Sequence, residues 1–336
     1  MRSPFKIIVC QDRELDHAIV EMYKEFDYNL KQSEWIDWKY RKNPYGEPIL
    51  VIAESNGKIA GMQALIPRLY YSNNNPIQTV EAVDAFVRPS FRRDGIYQHI
   101  WIKTLQIVKA RNLVLTTFPS TKSQSIGAMR KEGLKTLGAL NTYLNILRPA
   151  ALLERKNLHR LSWVYKNVFE PFHRVNRTPD NLSVDVLEIT EFQRSEQPEN
   201  MMIVGGRSQE YLNWKFCDSP MNDYTSVLFS EASENIGFAA FRIASDKATL
   251  TVHDYVINSN LSGCIDSLKK HIWDNYPEIG AILFTELESG PLASTLKNSG
   301  FFVKPSNQVL MLDNIDESVL PLDPEQWLIT RGDSDW

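Results

Sequence analysis

Arg92, Arg93, Asp94 and Gly95 interrupt two apolar stretches in a pattern suited to holding an anion. Upstream, VEAVDAFV (80–87) reads as a strand; downstream, residues 96–111 carry helical periodicity. A glycine at the start of a helix lets backbone amides approach a ligand without Cβ obstruction. The first helical amides have no intrahelical acceptor, and the helix dipole adds partial positive charge there. Together they form a site the size of a pyrophosphate, to which Arg92 and Arg93 add charge-assisted donors.

The elements that must position this junction occur twice. EWIDWKYRKNP (34–44) and EYLNWKFCDSP (210–220) share Glu, Trp, Lys and Pro at a constant offset of 176 residues. Trp35/Tyr211, Ile36/Leu212, Asp37/Asn213 and Tyr40/Phe216 match in kind. In each copy apolar residues recur at i, i+3 and i+4, which predicts one packed helix face ended by proline. Such helices line related clefts or are the same packing helix in two copies of one fold, and the second reading is favoured. Strand, turn and helix signals after each helix follow the same order, giving α-β-β-β-α-β-α-β in each half. The turn Ser55-Asn56-Gly57-Lys58 supplies the positive-φ residues of a tight hairpin. This predicts an α/β (α+β) chain of two domains, each a mixed, mostly antiparallel sheet flanked by helices. The expected divisions are an N-terminal domain 1–150, a helical connection 151–181 and a C-terminal domain 182–314. A tail 315–336 follows, in which Trp327, Leu328 and Ile329 dock while 332–336 stay loose.

Val87, Pro89, Arg92, Gly95 and Ile96 give V-x-P-x-x-R-x-x-G-I, which resembles motif A of the GCN5-related N-acetyltransferase (GNAT) superfamily. The likeness is one of motif in the first half and of element order in the second. Tyr97 departs from the pattern, standing where the family usually has Gly or Ala. The resemblance implies acetyl-CoA between the splayed ends of strands 80–87 and 113–118, its pyrophosphate on amides from Arg92 and Arg93 through Asp94, Gly95 and Ile96 to Tyr97. Backbone groups of Ala85, Phe86 and Val87 would pair with the pantetheine, and an amide near Ala85 would hold the thioester oxygen. TTFPSTKSQS (116–125) resembles the family's Asn-containing turn, with Ser120 at the Asn position and Ser123 three residues on. The implied reaction is direct attack of a primary amine on the thioester. Glu81, eleven residues before Arg92, has the spacing of the family's acidic base, and Asp84 is its rival. For each the plainer alternative is a solvated carboxylate or a salt bridge. No Tyr stands near Gly127 or Ala128 to protonate the leaving thiolate, so Ser123, Ser125, Tyr97 or water would do so.

In the second half, HDYVINSNLSGCIDSLKKHIW (253–273) keeps Gly263 but lacks the arginines and the Pro-x-x-Arg order, which reads as a degenerate copy. A net charge of −4, with no Lys/Arg run beyond a pair, gives nucleic acid no footprint. No apolar run has the length of a membrane span, and three cysteines without ligand spacing suit a reducing compartment; small buried residues are the plain reading of all three. The six histidines share no metal-site spacing, and Trp35 and Trp38 read as core rather than cleft. The expectation is thus a cytoplasmic acyl-CoA-dependent N-acetyltransferase without a metal, acting on a small-molecule amine. An amino sugar of surface-polysaccharide synthesis is the acceptor suggested by analogy, with no nucleic-acid partner and no membrane insertion. The alternatives are a non-catalytic CoA-binding or scaffold protein and a FemABX-like aminoacyl transferase.

Overall fold

The structure is a computed structural model and describes residues 5–10, 13–25, 32–123, 125–170, 182–186, 203–220, 223–313 and 320–334. The elements begin β1 (Lys6–Cys10), α1 (Arg13–Glu25), α2 (Gln32–Ile36), β2 (Ile49–Ser55), β3 (Lys58–Ser72) and β4 (Asn75–Val87). Next come α3 (Ile96–Ala110), β5 (Val114–Thr117), α4 (Ser125–Lys131), β6 (Lys135–Ile146), α5 (Pro149–Arg155) and α6 (His159–Val164). The chain continues with β7 (Leu182–Val186), β8 (Ile203–Gly205), α7 (Gln209–Leu212), β9 (Thr225–Glu231), β10 (Glu234–Ile243) and β11 (Thr249–Ile257). It ends with α8 (Leu261–Asn275), β12 (Ala281–Leu287), α9 (Ala293–Asn298), β13 (Phe302–Lys304), β14 (Val309–Asp313) and β15 (Trp327–Leu328).

Two compact units result. The first holds Met1–Leu137, Asp218–Met221 and Asn307–Leu322; the second holds Gly138–Cys217, Asn222–Ser306 and Asp323–Trp336. In the first, the strands run β1-β2-β3-β4-β5-β14, antiparallel except for the parallel pair β4/β5. In the second they run β7-β9-β10-β11-β12-β6, antiparallel except for β11/β12. The two orders are the same, but each sixth strand comes from the other half of the sequence. The contiguous divisions expected at 150, 181 and 314 therefore differ from the compact units. The reason is physical: an antiparallel edge accepts any strand of suitable alternation, and local pattern carries no information on which of two equivalent strands fills it. The edge strands β1 and β7 were also not anticipated, both being short. The boundary expected near 178–181 lies outside the described residues.

The hairpin between β2 and β3 has Asn56 at φ 53° and Gly57 at φ 74°, as its two-residue turn requires. In the first unit Ala18, Ile19 and Tyr23 of α1 pack with Ile36, Tyr40 and the inward residues of β2 and β3. The repeated motif is a packing helix in both units. Each copy passes from α into a π-helix, Asp37–Arg41 and Asn213–Cys217, at the same offset of 176. That widened turn buries three successive side chains, Trp38, Lys39 and Tyr40 in one copy and Trp214, Lys215 and Phe216 in the other. Trp35 is partly buried against the same core. Cys10 and Cys264 are buried, whereas Cys217 is exposed, against expectation, at the end of its π-helix.

The tail is not loose over its described residues. Trp327, Leu328 and Ile329 are buried, and Arg331–Asp333 forms a 3-10 turn with a capping box on Thr330. Gly332, Asp333 and Ser334 are buried because Tyr211 donates to Gly332 O (2.6 Å), Lys215 to Ser334 O (2.7 Å) and Arg207 to Asp333. Residues 335–336 lie outside the description.

One buried acid of the second unit has a consequence for stability. Glu286 accepts from the Tyr255 hydroxyl and the Leu287 amide (3.1 Å), and burial raises its pKa from 4.5 to about 8. A folded-state value above the unfolded one contributes stability present below pH 4.5 and lost as pH rises through 8. Denaturant midpoints should therefore fall between pH 5 and 8, with a slope on the order of 1 kcal/mol per pH unit. Glu286→Gln should flatten that profile; a wild-type profile that rises over the window would refute the assignment.

Candidate active site

Strand β4 is bent where the site begins. Met62 pairs with Phe86 and Ala64 with Val83, so β4 carries one extra residue opposite Gln63. This β-bulge places Asp84 at φ 50°, and Gln63 Nε2 donates to Val83 O (2.6 Å) and Ala64 O (2.9 Å). The parallel pairing of β4 with β5 ends at Glu81 and Thr116. Beyond it the strands part, and Ala85, Phe86 and Val87 line a cleft of ≈ 810 Å³.

The far end of the cleft is the junction before α3. Arg93 (φ 72°) and Gly95 (φ 81°) are both left-handed, and Gly95 caps α3 with no side chain over its first amides. Left-handed residues in such a turn aim successive N–H groups at one point, which makes an anion nest. A left-handed arginine costs about 1 kcal/mol, strain of a kind that clusters at ligand sites. Arg92 and Arg93 are exposed beside this nest, and Arg92 Nε donates to Val87 O (3.2 Å). Cleft size, open strand edge and nest together fit a nucleotide-bearing thioester.

In the same cleft α3 and α4 bring hydroxyls together. Tyr97 is stacked on Trp101 (6.1 Å) and its hydroxyl is buried beside Ser125; burial pushes its pKa up to about 12, so it stays protonated at neutral pH. Ser123 and Ser125 are hydroxyl to hydroxyl at 2.6 Å, and Ser123 Oγ also caps α4 by accepting from the Ser125 amide (3.2 Å). His99 is exposed, its Nδ1 2.9 Å from Gly95 O.

The predicted residues thus divide. Ala85, Phe86, Val87, Arg92, Arg93, Gly95, Ile96, Tyr97 and Ser123 line one cleft. Glu81, Asp84, Asp94 and Ser120 do not line it, Asp84 being the neighbour of Ala85, which does; Ser120 Oγ accepts from the Lys122 amide (3.3 Å) and its backbone bridges to Gln308. Glu81 is not placed as a base. It precedes the bulge and is buried, and its Oε2 accepts from Arg68 Nε (2.9 Å) and Nη2 (2.7 Å). A carboxylate held by two guanidinium donors away from the cleft has a structural role.

Asp84 is placed differently. Its Oδ2 accepts from Lys39 Nζ (2.6 Å) and from the Tyr40 hydroxyl, while Oδ1 accepts no hydrogen bond from a described residue. Lys39, itself buried, lies 4.5 Å from the centre of the Trp35 ring. Sequence reasoning missed Lys39 and Tyr40 as partners of Asp84, although the repeated motif carried the signal: Lys and an adjacent aromatic recur in both copies.

The second unit provides an internal comparison. The pairing of β11 with β12 ends at Thr251 and Leu283, and β11 too has a bulge, at His253, so that Asp254 follows it in regular pairing with Ala240 where Asp84 lies within its own bulge. Asp254 is wholly buried, with Oδ1 accepting from Arg207 Nη2 (2.9 Å), Thr330 Oγ1 (2.7 Å) and the Tyr255 amide (3.0 Å). Asn260 (φ 50°) stands where α8 begins, and its side chain covers the space over Gly263, 2.5 Å from where a Cβ would lie. That helix start has neither arginines nor an open nest.

The sequence matches no protein-family profile and no curated protein. Solved structures do resemble it. A conserved protein of unknown function from Enterococcus faecalis V583, described as a probable N-acyltransferase, aligns with a TM-score of 0.67 at 10% identity, over 92% of this chain and 72% of that one. A GCN5-related N-acetyltransferase from Anabaena variabilis ATCC 29413 aligns with a TM-score of 0.65 at 14% identity, with the same coverage. A tandem GNAT protein from the clavulanic acid biosynthesis pathway aligns with a TM-score of 0.57 at 12% identity, over 92% of this chain and 98% of its own. At such identities the likeness is one of fold. No helix among the described residues is long and apolar enough to cross a membrane.

Proposed function

We propose, for a chain with the tandem GNAT fold, an acyl-CoA-dependent N-acyltransferase with one working site, in the first unit, that moves an acetyl group from acetyl-CoA to a primary amine. The observation that carries this reading is the cleft at the β4 bulge, where an open strand edge leads to the anion nest at Arg92–Gly95. Acetyl-CoA supplies an acyl group activated as a thioester. Ala85, Phe86 and Val87 present backbone groups to the pantetheine, and the amides from Arg92 to Tyr97 hold the pyrophosphate. Asp84 receives the proton of the attacking amine through its open Oδ1, and Lys39 and Tyr40 fix its orientation through Oδ2. Tyr97, kept protonated by burial and set beside Ser125, returns a proton to the departing thiolate.

The second unit is read as a degenerate copy. Its equivalent aspartate is saturated by Arg207 and Thr330, and its helix start is filled by Asn260. An amino sugar, free or nucleotide-linked, remains the acceptor proposed by analogy. The ion pair of Glu81 with Arg68 favours one competing reading, a protein that binds CoA without turnover, since the position that most resembles the family's base is occupied.

The test is thiol release from acetyl-CoA across a panel of primary amines, with calorimetry alongside. Asp84→Asn should lower kcat about 100-fold and Tyr97→Phe about 10-fold, each with acetyl-CoA affinity unchanged. Binding without thiol release from any amine would favour the non-catalytic reading. Activity that survives Asp84→Asn would remove Asp84 as the base.

A further inference from the structure

The densest exposed apolar surface among the described residues lies on the helical connection of the second unit. Within 158–169 six large apolar side chains stand in solvent: Leu158, Leu161 (56% exposed), Trp163 (66%), Val164, Val168 and Phe169 (55%). Helix α6 runs directly into a π-helix, Tyr165–Phe169, so residues 159–169 are continuously helical. Leu161, Val164 and Val168 recur at i, i+3 and i+7 and form one stripe. The stretch turns inward through Ser162, which is buried and donates to Glu154 Oε1 (3.0 Å). Its apolar side therefore faces out, the reverse of a helix that packs on its own core.

The charge around this face is opposite in sign to that of the chain. Lys156, Arg160 and Lys166 are all exposed and take part in no ion pair among the described residues. Of the stretch's carboxylates, Glu170 is paired with Arg148 at 3.3 Å, while exposed Glu154 accepts from the Ser162 hydroxyl and keeps its charge, which leaves the surface net positive. Arg155 is likewise used, 2.6 Å from Asp246. A protein of net charge −4 thus presents Lys156 and Arg160 beside a tryptophan-bearing apolar face, while Lys166 lines a cleft with Glu154, Glu170 and Asp246. Long cationic side chains can lay their stems along such a face and keep their charges at its rim, where lipid phosphates would lie. A two-fold contact between copies would bring two surfaces of the same positive sign together.

We propose that residues 158–169 seat the protein on an anionic lipid surface, as a peripheral contact and not a span. Trp163 sits at the headgroup level with Leu161 and Val168 below it, and Lys156 and Arg160 meet the phosphates. So short an apolar face binds reversibly, which makes the cations necessary for retention.

Full-length protein would be sedimented with vesicles of phosphatidylcholine alone and of phosphatidylcholine mixed with phosphatidylglycerol. The protein should pellet with the anionic vesicles only and be released by salt. Two surface variants, Leu161→Ser with Trp163→Ser and Lys156→Glu with Arg160→Glu, should each lower the partition about tenfold. Calorimetry with acetyl-CoA should give the same result for both variants as for the wild type, which separates lost docking from lost folding. Failure to pellet, or equal pelleting with both lipids, would overturn the proposal. So would a dimer in light scattering that the Ser variant converts to monomer.

Discussion

Gly95→Asp should abolish useful acetyl-CoA binding, weakening it at least about 100-fold, or roughly 2.7 kcal/mol. Gly95 has φ 81°, and a Cβ there would meet only the His99 ring at 3.8 Å, so space is not the obstacle. Aspartate tolerates the left-handed region at a cost of about 1 kcal/mol, and the domain should stay folded. The loss instead comes from charge. A carboxylate at the mouth of the nest would pair with Arg92 and Arg93 and repel the pyrophosphate those groups are placed to meet. Gly95→Asn has the same backbone cost without the charge and should lose about tenfold or less. Calorimetry of the three proteins at two salt concentrations checks this. Undiminished binding by Gly95→Asp in folded protein would remove the nest, and with it the acetyltransferase reading.

Arg207→Met should destabilise the second unit by about 3–5 kcal/mol. Arg207 is wholly buried between two carboxylates, with Nη1 donating to Asp333 Oδ1 (2.7 Å) and Nη2 to Asp333 Oδ2 (2.8 Å) and Asp254 Oδ1 (2.9 Å). Its Nε lies 2.7 Å from Asp254 Oδ2 but off the N–H axis, a charge contact rather than a hydrogen bond. Burial alone would lower the guanidinium pKa; Asp254 and Asp333 outweigh it and hold it well above its usual value. Burial, with the neighbouring Asp333, raises the pKa of Asp254, and Arg207 and Thr330 oppose that rise. Deleting the cation leaves two acids buried side by side with no counter-charge. Chemical denaturation should show the loss, and adding Asp254→Asn and Asp333→Asn to Arg207→Met should recover part of it. A single variant as stable as wild type would show that the tail's anchor is dispensable.

The turn Arg92–Tyr97 was legible as a turn because its left-handed backbone and exposed charge are features that glycine and arginine write into the chain. The repeated helix was legible because tryptophan is rare and its neighbours kept their spacing. Glu81 was misjudged because spacing along a strand gives distance and not facing; its partner Arg68 comes from the next strand, in a register set by a bulge no residue type announces. The partners of Asp84 were hidden for the same reason, since Lys39 and Tyr40 are 45 and 44 residues away in the chain. The tail read as loose because it is a chain terminus, yet a Cβ at Gly332 would lie 2.6 Å from Asp254, and Asp333 accepts from Arg207.

The crossed sixth strands set a timetable for synthesis. β5 leaves the ribosome at residue 117, but its neighbour β14 ends only at Asp313. At ordinary elongation rates the edge of β5 waits roughly 10–40 s for that neighbour. During that interval an apolar, hydrogen-bond-hungry margin is available to any other chain on the same message. The second sheet has all six of its strands once Leu287 is made, so a premature stop between residues 288 and 308 leaves the first sheet alone without its sixth strand.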